Sequence, residues 1–236
     1  MKNWMMALGL LMALFIGPKS WGQAEELPKI YNSLDLAIGA GSASESTLYI
    51  NALSFQREHA LLKNRRLLLG YGLRFSAFGA SDQLLYTTAP YKLTKDDLID
   101  SMLVDKPFSA ALAASLHVGY LITPKLKAGF NIDVLGFGFG KETTGVFTST
   151  DNNGQYAINQ TGRPTTPSVL LIGDNDIGQL VSEFYVAYDI TEKLGVRGGL
   201  NMTFVEFQSD EKLTEDNDRF RHKAILGFLA FYYRPF

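Results

Sequence analysis

An all-β fold, eight antiparallel strands closed into a transmembrane up-and-down β-barrel, is predicted by three observations on this 236-residue sequence. Apolar residues recur at every second position in segment after segment, opposite Gly, Ala, Ser or charge. That pattern suits a wall with one greasy face and one wet face. Connections between the segments include tight turns and two long polar stretches, as expected of the two ends of such a wall. The amino terminus has export character: Lys2, an apolar run from Met5 to Gly17, then small residues Gly22 and Ala24.

Residues 1–24 are therefore expected to be a cleaved secretory signal, and residues 25–236 the barrel. The apolar run falls short of the about 20 residues a spanning helix needs. Loss of Lys2 and Lys19 with no acid takes the formal charge from −2 to about −4, too mild for a nucleic-acid partner. The absence of cysteine excludes disulfides, a lipidated cysteine anchor, thiol catalysis and Cys-ligated metal. His59, His117 and His222 share no zinc spacing, so no metal or cofactor is expected.

Taken in order, the first strand (about 32–41) opposes Leu34, Leu36, Ile38 and Ala40 to Ser33, Asp35, Ala37 and Gly39. In the second (47–57), Leu48 and Ile50 share one parity, Leu53 and Phe55 the other, so a bulge is expected between them. The third (65–79) opposes Leu67, Leu69, Tyr71, Leu73 and Phe75 to Gly70, Gly72, Arg74 and Ser76. The fourth (108–122) sets Leu112, Leu116, Val118 and Tyr120 against Ala113, Ser115, His117 and Gly119. The fifth (125–140) sets Phe130, Ile132 and Val134 against Lys127, Gly129, Asn131 and Asp133; Gly136, Gly138 and Gly140 continue it and ease wall curvature. The sixth (179–190) opposes Phe184, Val186 and Tyr188 to Glu183, Tyr185 and Asp189. The seventh (194–208) opposes Val196, Leu200, Met202 and Phe204 to Arg197, Gly199, Asn201 and Thr203, and the eighth runs from Arg219 to Phe236. Each reaches the roughly 9 to 11 residues that a tilted strand needs to cross a bilayer.

Ile122-Thr123-Pro124-Lys125 and Ile190-Thr191-Glu192-Lys193 read as tight periplasmic turns, whereas 80–107 and 142–178 read as long outer loops. An even strand count then leaves both termini on the periplasmic side. A soluble lipocalin-like barrel fits less well, because the small and charged face has too little bulk to fill an apolar core.

The ending Phe231-Tyr232-Tyr233-Arg234-Pro235-Phe236 resembles the aromatic carboxyl-terminal signal of outer-membrane barrels, in the form seen in small barrels of the Bacteroidota. With the strand pattern, the chain resembles the eight-stranded group typified by the OmpA transmembrane domain and OmpX. The resemblance implies residence in the bacterial outer membrane, contact with its lipid, and recognition of Tyr232, Tyr233 and Phe236 by the barrel-assembly machinery.

On this register Asp35, Arg74, His117, Lys127, Asn131, Asp133, Glu183, Tyr185, Arg197, Asn201 and Thr203 face inward. An eight-stranded lumen is just wide enough to be filled by side chains. Asp35, Arg74, Lys127, Asp133, Glu183 and Arg197 are accordingly expected to pair and plug it, since unpaired charges there are strongly unfavourable. Ser115 and His117, two apart on one face, have the elements of a nucleophile and its base, but no acid to orient the imidazole can be identified. Thr94-Lys95-Asp96-Asp97 reads as a helix start followed by Leu98, Ile99, Met102 and Leu103 on one face. Val169, Leu170, Leu171 and Ile172 form an apolar run expected to pack on the rim, on that helix or on a partner. The function expected is a non-enzymatic scaffold whose outer loops bind a ligand or an envelope protein partner. The alternatives are a lipid-A-modifying enzyme and a narrow solute channel.

Overall fold

The computed structural model describes residues 27–93, 99–149 and 156–235. The expected signal sequence, Leu98 and Phe236 lie outside the described residues. Among the described residues, all regular structure beyond three short 3-10 turns is antiparallel β. The strands are β1 (Ile30–Ala43), β2 (Ser46–Leu61), β3 (Leu67–Ala80), β4 (Leu84–Thr88), β5 (Ser101–Val104), β6 (Phe108–Leu121), β7 (Leu126–Phe139), β8 (Thr143–Ser149), β9 (Tyr156–Pro164), β10 (Pro167–Val169), β11 (Leu180–Asp189), β12 (Leu194–Ser209) and β13 (Arg219–Tyr233).

The expected count of eight strands is thus corrected to thirteen among the described residues. The five additional ones, β4, β5, β8, β9 and β10, lie in the stretches 80–107 and 142–178 that the sequence presents as loops. They are short, and Thr and Ser at many of their positions are polar by hydropathy yet acceptable in a pleated, half-exposed strand. Met102 and Leu103, expected on a helix, belong to β5, and Ile99 has no regular structure.

The pairings form two closed circuits. The larger runs β1, β2, β3, β6, β7, β11, β12, β13 and back to β1. The smaller runs β13, β12, β9, β8, β5, β4 and back to β13. Both share β12 and β13, whose pairing continues from Leu194↔Tyr233 to Gln208↔Arg219. Long β12 and β13 therefore carry the smaller ring directly above the larger one. β10 fills the place beside upper β7 that β11 leaves open, pairing Ser168 with Gly136.

The two tight turns close the lower end by one device. The Thr123 hydroxyl accepts the N–H of Leu126 at 3.0 Å, and the Thr191 hydroxyl accepts that of Leu194 at 2.9 Å. These side-chain turns explain why the same Ile-Thr-x-Lys pattern recurs.

The bulge expected in β2 is absent: its register with β1 and β3 runs unbroken. Leu48, Ile50, Ala52, Ser54, Gln56 and Glu58 all point inward, so the interior changes from apolar to polar while the strand keeps its parity. A register shift lies instead between β6 and β7, where Ala114 faces Leu135 and Ser115 faces Asp133. The extra residue, Val134, turns Gly136 and Gly138 inward beyond it.

Outside the larger ring Leu34, Leu36, Leu73, Leu116, Val186, Leu200 and Phe231 are all exposed. On β13 the outward residues Ile225, Gly227, Leu229, Phe231 and Tyr233 span about nine residues, the crossing length of a tilted strand. Lys223 and Arg234 bound that run. Inside the smaller ring the order inverts. Tyr86, Met102, Val104, Phe147, Phe207 and Phe220 form one buried apolar cluster. Tyr86 meets Phe207 and Phe147 meets Phe220 edge-on, with centroids 5.1 and 5.9 Å apart, an arrangement aromatic pairs favour.

Candidate functional site

Two regions concentrate polar chemistry: the interior of the larger ring, and the outer face of β12 and β13 where the rings meet.

Alternation delivers the first. Asp35 (β1), Arg74 (β3), Asn131 and Asp133 (β7), Glu183 (β11) and Arg197 (β12) all point inward and are almost fully enclosed. Arg197 grips Asp35 through Nε and Nη2 at 2.6 and 2.8 Å, and its Nη1 reaches Glu183 at 2.6 Å. Arg74 pairs with Asp133 and Glu183, both at 3.2 Å, and donates to the Val181 carbonyl. Asn131 and Asn201 donate to Glu183 at 2.8 and 3.3 Å. Glu183 is thus the hub, its two oxygens shared among four donors, which is how a buried carboxylate offsets its desolvation.

Below this layer Lys127 pairs with Glu58 at 2.7 Å. The inward set predicted from sequence omits Glu58, because the apparent parity switch in β2 hid its direction; continuing the parity of Leu48 and Ile50 would have found it. At the lower rim Tyr232 and Arg234 both engage Asp189, Arg234 at 2.7 Å. Tyr232 is therefore an inward, buried side chain, whereas Tyr233 beside it faces out.

Glycine makes room for the bulk. A Cβ at Gly129 would lie against the Tyr185 ring, and one at Gly195 against the Tyr232 ring. These cross-strand aromatic and glycine pairs fill the interior without forcing the strands apart. Among the six predicted charges, all face inward, and the structure joins Asp35, Arg197, Glu183, Arg74 and Asp133 into one network with Lys127 in a separate pair. A void of about 10 Å³ beside Glu58 and Lys127 is at the lower limit for one water.

Ser115 Oγ and His117 Nε2 lie 2.9 Å apart, so the predicted pair exists. Both are buried in the interior, and among the described residues His117 Nδ1 has no hydrogen-bond partner. The imidazole thus lacks the third group that would orient it for base catalysis. Among the described residues, no group of three His, Asp or Glu is arranged to hold a metal ion.

The second region is not among those the sequence predicts, because nothing in the sequence gives a reason to bury Glu206 on the outward parity of β12. Here Glu206 receives the Tyr91 hydroxyl at 2.6 Å, Arg219 at 3.4 Å and Arg221 at 3.3 Å. Burial, then the bond to Glu206, pushes the Tyr91 phenol above its ordinary value, so it stays a donor. Lys92 and Asp218 pair beside it at 2.9 Å. Of the apolar residues predicted for recognition, Met102 is core of the smaller ring, Ile99 is exposed, and Val169 lies in β10. Leu170 donates its N–H to the Val134 carbonyl, while Leu171 and Ile172 are exposed, Ile172 at φ +67°.

No protein-family model matches the chain, and no curated protein matches it in sequence. Solved structures with similarity include Neisserial surface protein A, at 9% identity over 88% of this chain and 97% of that one, with a TM-score of 0.35. They also include the CymD monoaromatic hydrocarbon channel, at 9% identity over 88% of this chain and 89% of that one, TM-score 0.28. The Pseudomonas putida toluene transporter TodX shares 9% identity over 87% of this chain and 90% of that one, TM-score 0.28.

Proposed function

We propose that the chain is an outer-membrane protein in which the larger ring is an eight-stave transmembrane β-barrel of the OmpA transmembrane domain and OmpX kind. Its filled lumen makes it a non-conducting anchor, and the smaller ring is a rigid head held outside the cell for an envelope protein or surface ligand. Tyr233 and Phe236 remain the candidate insertion signal, with Tyr232 acting at least as a latch on Asp189.

The observation that carries this reading is the inversion along β12. Its lower half turns Leu200 and Met202 outward and Arg197, Asn201 and Thr203 inward; its upper half turns Val205 and Phe207 inward and Glu206 outward-facing under cover. Exposed Leu and Phe all around a ring are costly in water and favourable in lipid. A buried apolar core beneath a mixed outer face, with Thr87, Thr144, Asn159, Thr161 and Arg163 exposed beside Leu85 and Val146, suits water outside it.

Lipid modification by Ser115 and His117 would need a substrate to reach an enclosed pair with no orienting acid. Conduction would need the Glu183 network to come apart. The scaffold reading requires neither.

Epitope tags test it. A tag between Ser149 and Tyr156 is expected to bind antibody on intact cells, and a tag at Pro124 only after the outer membrane is opened. Equal labelling at both positions would overturn the topology. The purified protein is expected to give no steady conductance in planar bilayers, and a stable open channel would overturn the plug.

A further inference from the structure

The outer wall has an amphipathic recess where β13 leaves its apolar run. A cavity of about 400 Å³ lies against outward Ile132, Met202, Phe204 and Ile225, bordered by Leu170 and the Gly173 to Asp176 turn, with Arg221 and Lys223 on its lining. A second hollow of about 280 Å³ adjoins it, lined by Thr87, Thr88, Arg221, His222 and Lys223 together with Leu85 and Pro90. Arg221 and Lys223 belong to both. One recess is thus apolar, its neighbour is basic and hydroxyl-bearing, and two cations stand between them.

The polar groups there are incompletely used. Arg221 is only 4% exposed and stacks on the Phe204 ring. Its Nη2 meets Glu206 and the Asp176 carbonyl, but among the described residues Nε and Nη1 have no hydrogen-bond partner. Buried donors left without partners are costly. His222 donates from Nδ1 to the Leu85 carbonyl at 2.8 Å, and its Nε2 is likewise buried without a partner. Lys223 is exposed, and no carboxylate of the described residues pairs with it. Glu206 neutralises part of Arg219 and Arg221, and the Asp176 carboxylate accepts the Leu171 N–H.

We propose that this recess binds a phosphate-bearing lipid of the surrounding leaflet, with the phosphate between Arg221 and Lys223 and an acyl chain on Met202, Phe204 and Ile225. The proposal rests on the transmembrane reading. Height supports it: Ile225 is the last outward apolar residue of β13, and Lys223 and Arg221 follow on the same face, at the level where lipid headgroups begin. Basic side chains at that level attract anionic headgroups. The flanking turn adds Leu171 and Ile172, the latter 83% exposed and at a positive φ unusual for a β-branched residue. Such side chains are costly in water and at home in an acyl boundary.

The test is native mass spectrometry of the full chain purified in detergent, offered dimyristoyl phosphatidylglycerol, dimyristoylglycerol or inorganic phosphate. Unheated gel mobility is read first on every sample. The wild type is expected to retain phosphatidylglycerol over the phosphate-free diacylglycerol. Lys223→Gln lies on the surface and is expected to lower retention about five-fold, and Met202→Trp, which fills the apolar recess, to abolish it. Equal retention of the two lipids, or undiminished retention in both variants, would overturn the proposal. Competition by inorganic phosphate that is as effective as competition by the lipid would make this a free-anion site and also overturn it. Those results leave the barrel standing if the unheated protein migrates as a compact, heat-modifiable band. A chain that never gives that band defeats the transmembrane reading itself.

Discussion

The larger and smaller rings share β12 and β13 yet are built inside out with respect to each other. In the larger, Leu, Phe and Val face outward and a net of carboxylates, guanidiniums and amides fills the middle. In the smaller, Tyr86, Phe147, Phe207 and Phe220 fill the middle, and exposed positions such as Thr144 and Arg163 face out. Neither strand breaks its alternation where the change occurs. The difference teaches that β alternation fixes which residues share a face, while the surrounding solvent decides which face is apolar.

Replacing the charged centre of one ring and the apolar centre of the other should break them in different ways. Arg197→Met leaves Asp35 and Glu183 enclosed without their main cation, and the expected loss is about 3–5 kcal/mol. Urea titration in lipid vesicles, followed by unheated gel mobility, measures it. A loss below about 1 kcal/mol would mean that water reaches the network and the interior is not a plug. Phe207→Ala removes a fully buried ring and should cost about 3–5 kcal/mol within the smaller ring. Protease sensitivity between β8 and β9 should rise while gel mobility holds. Joint loss of both signals would show that the rings fold only as one unit.

The exteriors sharpen the contrast with one substitution made twice. Leu36→Arg, on the apolar belt of β1, is expected to cost about 2–4 kcal/mol at mid-membrane depth. Thr144→Arg, exposed on β8, should change stability by no more than about 0.5 kcal/mol. Equal effects in vesicle unfolding would remove the case for lipid around one ring and water around the other.

Much of the charged interior was legible because parity is a strict rule. Asp35, Arg74, Lys127, Asp133, Glu183 and Arg197 lie opposite long apolar residues in the sequence, and all six face inward in the structure. Glu58 was hidden by the change from Ile50 to Ser54 along the inward face of β2, which mimics a bulge in hydropathy. The real shift, at Val134, leaves little trace, because Ile132, Val134 and Leu135 are apolar on both sides of it. Strands β4 and β5 are illegible in the sequence for another reason. They are short, and their partners lie far along the chain, as with Met102 opposite Phe147 and Thr88 opposite Phe220.

By itself the sequence determined the all-β character, the two tight Thr-capped turns and the sidedness of the long strands. These depend on residues a few positions apart, and local sterics and hydrogen bonds enforce them. Only the tertiary structure decided that β9, β8, β5 and β4 bridge β12 to β13 as a second ring. It alone joined the buried carboxylate of Glu183 to cations on β3 and β12, and it alone set Arg221 beside an apolar recess drawn from four other segments. Each of those depends on closure, which brings together residues separated by most of the chain, and closure leaves no periodicity in the sequence to read.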